Sequence, residues 1–214
     1  MIRGVLFDMD GVLVDSESFI CEAAIKMFAE LGTIVSSDDF KPFVGTGENR
    51  YLGGVAEKHR LRIDIIKAKA RTYDIYKHII KGKLPPLPGA LEFVARCRET
   101  GLKLAIATSA DCVKMEANLN EINLPAATFD ATVNGLEVEK KKPSPDIYLL
   151  AAGKLGLNAR ECLVVEDAIS GVKAAKAAGC RCLAVTTSFS ADDLHEADWI
   201  CDSLLFAPDD ALQW

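Results

Sequence analysis

Four short stretches carry the side chains that could do chemistry. An apolar run, Val5-Leu6-Phe7, stops at Asp8; a second carboxylate, Asp10, follows just before Gly11. Thr108 and Ser109 close the run 102–107 (LKLAIA). Lys142 stands ahead of a helix-starting Pro-x-Pro-Asp, and Glu166-Asp167 closes 161–165 (ECLVV). In an open parallel sheet, ligands bind beyond the carboxyl ends of the strands. With these strands as neighbours, the four carboxylates, the Thr108 hydroxyl and the Lys142 ammonium would share one crevice. Ionised carboxylates that close repel strongly in a low-dielectric cleft, and a hard divalent cation relieves the repulsion. Mg²⁺ prefers oxygen ligands, keeps several waters, and bridges one or two carboxylates to a substrate phosphate. Lys142, the Thr108 hydroxyl and backbone N–H groups near Gly11 and Ser109 would then hold the remaining phosphoryl charge.

Each piece alone has an ordinary alternative. Asp8-x-Asp10 also fits a turn or a calcium ligand pair. Thr108 could simply end a strand. Lys142 belongs to the charge run 139–142 (EKKK), a common pattern for a solvated face. Glu166-Asp167 could cap the helix that follows. The combination, at strand ends of one chain, is what points to phosphoryl chemistry.

The elements that must position these residues alternate. Apolar runs at 3–7, 102–107, 161–165 and 181–185 are continuous rather than period-two, which predicts strands buried on both faces. Helical stretches near 88–100, 111–121, 145–156 and 168–178 lie between them, the last stopped by Gly179. Such alternation predicts an α/β fold with a parallel sheet and right-handed crossovers. Residues 16–82 break the rhythm and contain no strand pattern. Phe19, Ile20, Ala23, Ala24, Met27, Phe28 and Leu31 mark one face of a helix starting near Ser16. "SSDDF" and "GENRYLGGVAEKH" read as shorter helices and 63–81 as a long one, before the prolines of "LPPLPG" (84–89) return the chain to the sheet.

Composition narrows the class. A chain of 214 residues can build one good core plus a smaller second unit. The net charge of -6 argues against a nucleic-acid partner. No apolar run approaches a membrane span, and Asp8 and Asp10 interrupt the N-terminal candidate for a signal. The seven cysteines fall mostly inside apolar segments and read as reduced core thiols. That places the chain in a reducing compartment, the cytoplasm, with a plastid stroma also compatible. Three widely spread histidines do not make a zinc site.

The stretches "DMDGVLVDSE", "ATS", "KKPSPDIY" and "VVEDAISG" resemble the four ordered motifs of the haloacid dehalogenase superfamily. More narrowly, the whole chain is similar to its sugar-phosphatase and β-phosphoglucomutase branch. The resemblance implies a Rossmann-like parallel-sheet core from residues 1–15 and 84–214, with an inserted α-helical cap domain at 16–83. It implies Asp8 as the nucleophile that takes the phosphoryl group and Asp10 as the general acid–base. Thr108, Ser109 and Lys142 would bind phosphate. Mg²⁺ would be held by the Asp8 carboxylate, the Asp10 carbonyl and Asp167, with Glu166 beside them.

Substrate choice would lie in the cap, at Gly45, Thr46, Glu48, Asn49 and Arg50. The alternative for that turn is a plain helix N-terminus capped by Thr46. In a β-phosphoglucomutase, the resemblance implies, this loop supplies an arginine and the first cap helix a histidine. The matching positions here are Glu48 and Ile20, with Arg50 two residues along. The expectation is a Mg²⁺-dependent monomeric phosphatase of a small phosphorylated metabolite, a sugar phosphate, without nucleic-acid or membrane partners. The alternative is a phosphosugar mutase. A receiver-type module that is phosphorylated without turnover would lack both the helical insert and the second acid.

Overall fold

The computed structural model describes residues 1–213. Six strands, β1 (Gly4–Phe7), β2 (Lys103–Ala107), β3 (Ala131–Val133), β4 (Cys162–Glu166), β5 (Arg181–Val185) and β6 (Trp199–Cys201), form one parallel sheet in the order β3-β2-β1-β4-β5-β6. The order runs outward in opposite directions from β1, so a crevice opens beyond the carboxyl end of β1, between β2 and β4.

The unbroken apolar runs have a direct physical cause. Successive side chains of a strand point to opposite faces, and both faces here are covered. Val5 and Phe7 of β1, Leu104 and Ile106 of β2, and Leu163 and Val165 of β4 enter one core. Leu6, Ala105 and Val164 enter the other. The first core is closed by α5 (Ala90–Glu99) and α6 (Cys112–Glu121), through Phe93, Val94, Met115 and Leu119. The second is closed by α7 (Asp146–Lys154) and α8 (Ile169–Ala178), through Tyr148, Ala151, Val172 and Ala175. All seven cysteines carry free thiols, and Cys97, Cys162, Cys180 and Cys182 are buried.

Residues 16–82 are helical, as their pattern predicts: α1 (Glu17–Glu30), α2 (Ser37–Phe40), α3 (Glu48–Lys58) and α4 (Ile65–Ile80). They enclose a third core around Met27, Phe28, Phe40, Leu52 and Val55. This helical unit is tied to the sheet at several points. The Tyr76 hydroxyl on α4 donates to Asn118 on α6, and Lys69 on α4 pairs with Asp111 at 2.6 Å. The two chain crossings run side by side: Leu87 N–H donates to Leu13 O at 2.8 Å, and Val14 bridges Pro86.

Three expectations need correction. The sheet has two more strands than the apolar runs indicate, β3 and β6. Each has three residues, lies on an edge and is partly exposed, so neither develops a burial pattern. Leu31 is not on the buried face of α1; it is the exposed C-cap. Thr46 does not cap α3. Gly47 does, with φ +85°, while the Thr46 hydroxyl donates to Phe43 O at 2.6 Å.

Candidate active site

Asp8 stands one residue beyond β1, with its N–H donating to Val165 O of β4 at 3.0 Å. The sheet ladder thus carries the first carboxylate into the crevice. Lys142, in the loop before α7, donates to Asp8 Oδ1 at 2.5 Å and to Glu166 Oε1 at 2.7 Å. Tyr148 on α7 donates to the same Glu166 oxygen at 2.8 Å. The N–H groups of Asp167 and Ala168 both reach Glu166 Oε2, each at 2.8 Å. Four donors therefore occupy Glu166, and it fixes the Lys142 ammonium against Asp8. Gly171 makes room for this group, since a Cβ there would lie 1.6 Å from Glu166 Oε1.

Burial raises Asp8 above the usual carboxylate range; Lys142 opposes the shift and Glu166 adds to it. Burial works the same way on Glu166, but Lys142 and the surrounding donors bring it below its ordinary value. Burial disfavours the charge on Lys142, yet Asp8 and Glu166 more than offset that and raise its pKa. Asp167 is different. Burial, then the neighbouring Glu166 and Asp8, push it up to about 8, with the Ser188 hydroxyl offsetting part of the shift. Among the described residues no cation forms an ion pair with it. Its carboxylate lies against Gly11 (φ +80°), where a Cβ would sit 1.9 Å from Oδ2.

The second carboxylate has its own holders. Ser16 donates to Asp10 Oδ1, and Lys114 on α6 donates to Oδ2 at 2.8 Å. Lys114 is 5% exposed. Burial disfavours its charge, but Asp10 and Glu48 outweigh that and raise its pKa. Thr108 is buried; its hydroxyl accepts from Ala110 N–H at 3.1 Å, which leaves its own proton to donate. The Gly11 N–H, expected to face a phosphoryl group, is instead taken by Val14 O at 2.7 Å.

A cleft of about 500 Å³ joins these groups to the helical unit. Asp8, Asp10, Thr108, Ser109, Lys142, Glu166 and Asp167 all line it, so the structure brings every strand-end candidate together. Of the expected specificity residues, Gly45 and Glu48 line it and Thr46, Asn49 and Arg50 do not. A helix turns about 100° per residue, so with Glu48 facing inward, Asn49 and Arg50 face out. Arg50 pairs with Glu57 at 2.8 Å and lies 5.0 Å over the Phe43 ring.

Lys114, Ser16 and Tyr148 escaped the sequence reading. A signal existed for Lys114: it lies four residues before Asn118 and adjoins Met115 and Leu119 on one face of α6, so a cation sits on the buried side. Nothing in sequence marked Ser16 as a partner of Asp10.

Known proteins share this fold. The family model for haloacid dehalogenase-like hydrolases matches residues 5–185. Protein SUPPRESSOR OF QUENCHING 1, chloroplastic, from Arabidopsis thaliana is 47% identical over 92% of this chain, which spans only 19% of that protein's length. Hexitol phosphatase A of Escherichia coli is 33% identical, with 94% of this chain and 91% of that protein aligned. The crystal structure of CbbY from Rhodobacter sphaeroides with phosphate superposes over 100% of both chains, with a TM-score of 0.88 at 27% identity. A CbbY variant in complex with xylulose-1,5-bisphosphate gives 0.85 over 96% of each chain, also at 27% identity.

Proposed function

The chain belongs to the haloacid dehalogenase-like hydrolases, and on that premise we propose a phosphatase that hydrolyses a small phosphorylated sugar through an aspartyl phosphate. The observation that carries the reading is the separate holding of two carboxylates two residues apart. Asp8 is paired with Lys142, while Asp10 is held by Ser16 and Lys114. One can attack while the other manages the proton.

The residues then act as follows. An Asp8 oxygen attacks phosphorus as the bond to the leaving oxygen breaks. Lys142 and the Thr108 and Ser109 region hold the phosphoryl oxygens and offset the charge that develops there. Asp10 serves as the general acid, passing a proton to the leaving oxygen. The deprotonated Asp10 next takes a proton from water, whose oxygen attacks phosphorus and frees the Asp8 carboxylate and inorganic phosphate. Residues 16–83 form the cap over the core built from 1–15 and the described residues from 84 onward, and its closure would exclude bulk water during the first step.

Mg²⁺ fits the donors present. Asp167 is a buried carboxylate with no cation paired to it, and the Asp10 carbonyl accepts no hydrogen bond among the described residues. These two and Asp8 would hold the ion, whereas Glu166 is occupied by its four donors. Bound there, Mg²⁺ would neutralise charge on the phosphoryl oxygens.

Two features favour water over a second sugar as acceptor. Ile20 and Glu48 line the cleft where a mutase of this branch would need a proton-exchanging and a cationic group. Arg50 is turned away and paired with Glu57. The reading extends to a monomer in a reducing compartment, the cytoplasm or a plastid stroma, in keeping with the chloroplastic relative. No helix among the described residues is long and apolar enough to cross a membrane.

Released phosphate, measured over a panel of sugar monophosphates with Mg²⁺, tests the proposal. Asp8→Asn should fall below a few per cent of the parent rate while keeping the parent's circular dichroism. Rapid conversion of β-glucose 1-phosphate, primed with its 1,6-bisphosphate, to glucose 6-phosphate with little free phosphate would establish the mutase instead.

A further inference from the structure

The half of the cleft that must hold the leaving group is built unlike the half that holds phosphate. Its charged lining on the helical side consists of the carboxylates Glu17 and Glu48, with Asp15 beside them at the chain crossing. Glu17 accepts from the Tyr51 hydroxyl at 3.1 Å. The one ammonium in that region, Lys114, is already bonded to Asp10. Glu48 is 9% exposed, and its Oε2 is shut off from solvent with no hydrogen-bond partner. The Tyr73 hydroxyl, also unbonded, lies beside both Glu48 and Asp111. A buried carboxylate oxygen without a donor is costly, and the cost disappears when a ligand supplies one. Ile20, Phe43 and Val44 supply the apolar remainder of the wall.

Resting on the phosphatase reading above, we infer that Glu48 is a specificity-determining residue that accepts a hydroxyl of the substrate, so the enzyme selects polyhydroxylated monophosphates and rejects bisphosphates. A hydroxyl donates to Glu48 and leaves the charge balance as it stands. A second phosphate would bring up to two more negative charges against three carboxylates, with no unpaired cation to meet them. The bisphosphate found with the structural neighbour CbbY would on this account be excluded here.

The test compares kcat/KM for glucose 6-phosphate, sorbitol 6-phosphate, glucosamine 6-phosphate, fructose 1,6-bisphosphate and 4-nitrophenyl phosphate. The nitrophenyl ester has no donor to offer. Glu48→Ala and Glu48→Gln should each lower the ratio of hydroxylated monophosphate to nitrophenyl ester by about 10- to 100-fold, as expected for a lost hydrogen bond to a charged group. Glu48→Arg should raise the ratio of bisphosphate to monophosphate by at least about tenfold. Ratios within threefold of the parent, or a parent that prefers the bisphosphate, overturn the inference. Preference for glucosamine 6-phosphate with the same dependence on Glu48 overturns the hydroxyl assignment in favour of an ammonium. If no ester is turned over, the phosphatase reading fails on its own. Calorimetric binding of glucose 6-phosphate and fructose 1,6-bisphosphate then decides this inference, and equal affinities for parent and Glu48→Ala overturn it.

Discussion

Replacing Gly11 by alanine separates damage to the site from damage to the fold. Gly11 has φ +80°, and an added Cβ would lie 1.9 Å from Asp167 Oδ2 and 2.3 Å from its Cγ. Carbon and oxygen without a bond do not approach within about 3 Å, so either the carboxylate or the Asp8–Gly11 turn must retreat by at least about 1 Å. The left-handed backbone adds roughly 1–2 kcal/mol of strain for an L-residue. In a chain of this size that corresponds to a fall in Tm of roughly 2–8 °C, so the variant remains folded at 25 °C. A misplacement of about 1 Å at a catalytic centre costs about 100-fold in rate, about 2.7 kcal/mol of barrier. Phosphate release over a Mg²⁺ titration, alongside thermal unfolding, reads both effects. The expected result is an activity loss near 100-fold with a raised Mg²⁺ requirement and a modest Tm shift. Because the two changes act through one carboxylate, Gly11→Ala should add little to Asp167→Ala in a double-mutant cycle. Activity within threefold of the parent, or losses that simply multiply, would refute the placement of Asp167 against Gly11.

Three further outcomes are expected. A chelator should abolish phosphate release and Mg²⁺ restore it, whereas Ca²⁺ should inhibit, because its larger, looser coordination sphere misplaces the nucleophile; full activity in excess chelator would remove the metal from the account. Asp198 joins α8 to β5 and β6, accepting from Lys176 at 2.6 Å, Arg181 at 2.6 Å and Cys182 N–H at 2.8 Å. Burial disfavours its charge, but these donors outweigh it and hold its pKa below the ordinary value. A depressed folded-state pKa stabilises above the unfolded value and loses that contribution as pH falls through the folded one. Asp198→Asn should therefore cost about 1–3 kcal/mol at pH 7 in denaturant unfolding, with the gap closing below about pH 4; a gap independent of pH would contradict this. Finally, the crossings near 14–17 and 82–88 should act as hinges, and the Lys69–Asp111 pair should hold the helical unit down. Lys69→Ala should enlarge the radius of gyration in solution scattering and beryllofluoride should restore it; superimposable curves for parent and variant, with and without the mimic, would exclude the motion.

The positions of the strand-end residues are legible in sequence because local rules govern them. A strand buried on both faces shows as an unbroken apolar run, and the polar residue that ends it lies at the crevice by construction. Asp8, Asp10, Thr108, Glu166 and Asp167 follow that rule, Lys142 stands instead before a helix, and the cleft holds them all. The helical insert was legible too, since 3.6-residue periodicity persists over α1 and α4.

What only the tertiary structure decided are relations between residues far apart in the chain. Lys114 lies 104 positions from Asp10, and no local pattern brings the two together. Glu166 could read as a ligand until its four donors were seen to occupy it. Arg50 stood as the one cation able to compensate for Glu48. Its direction follows from which face of α3 packs inward, a tertiary matter; Glu57, two turns along the same helix, then pairs with it. β3 and β6 form because neighbouring strands offer them a free edge, a stabilisation that three residues do not carry in their own sequence.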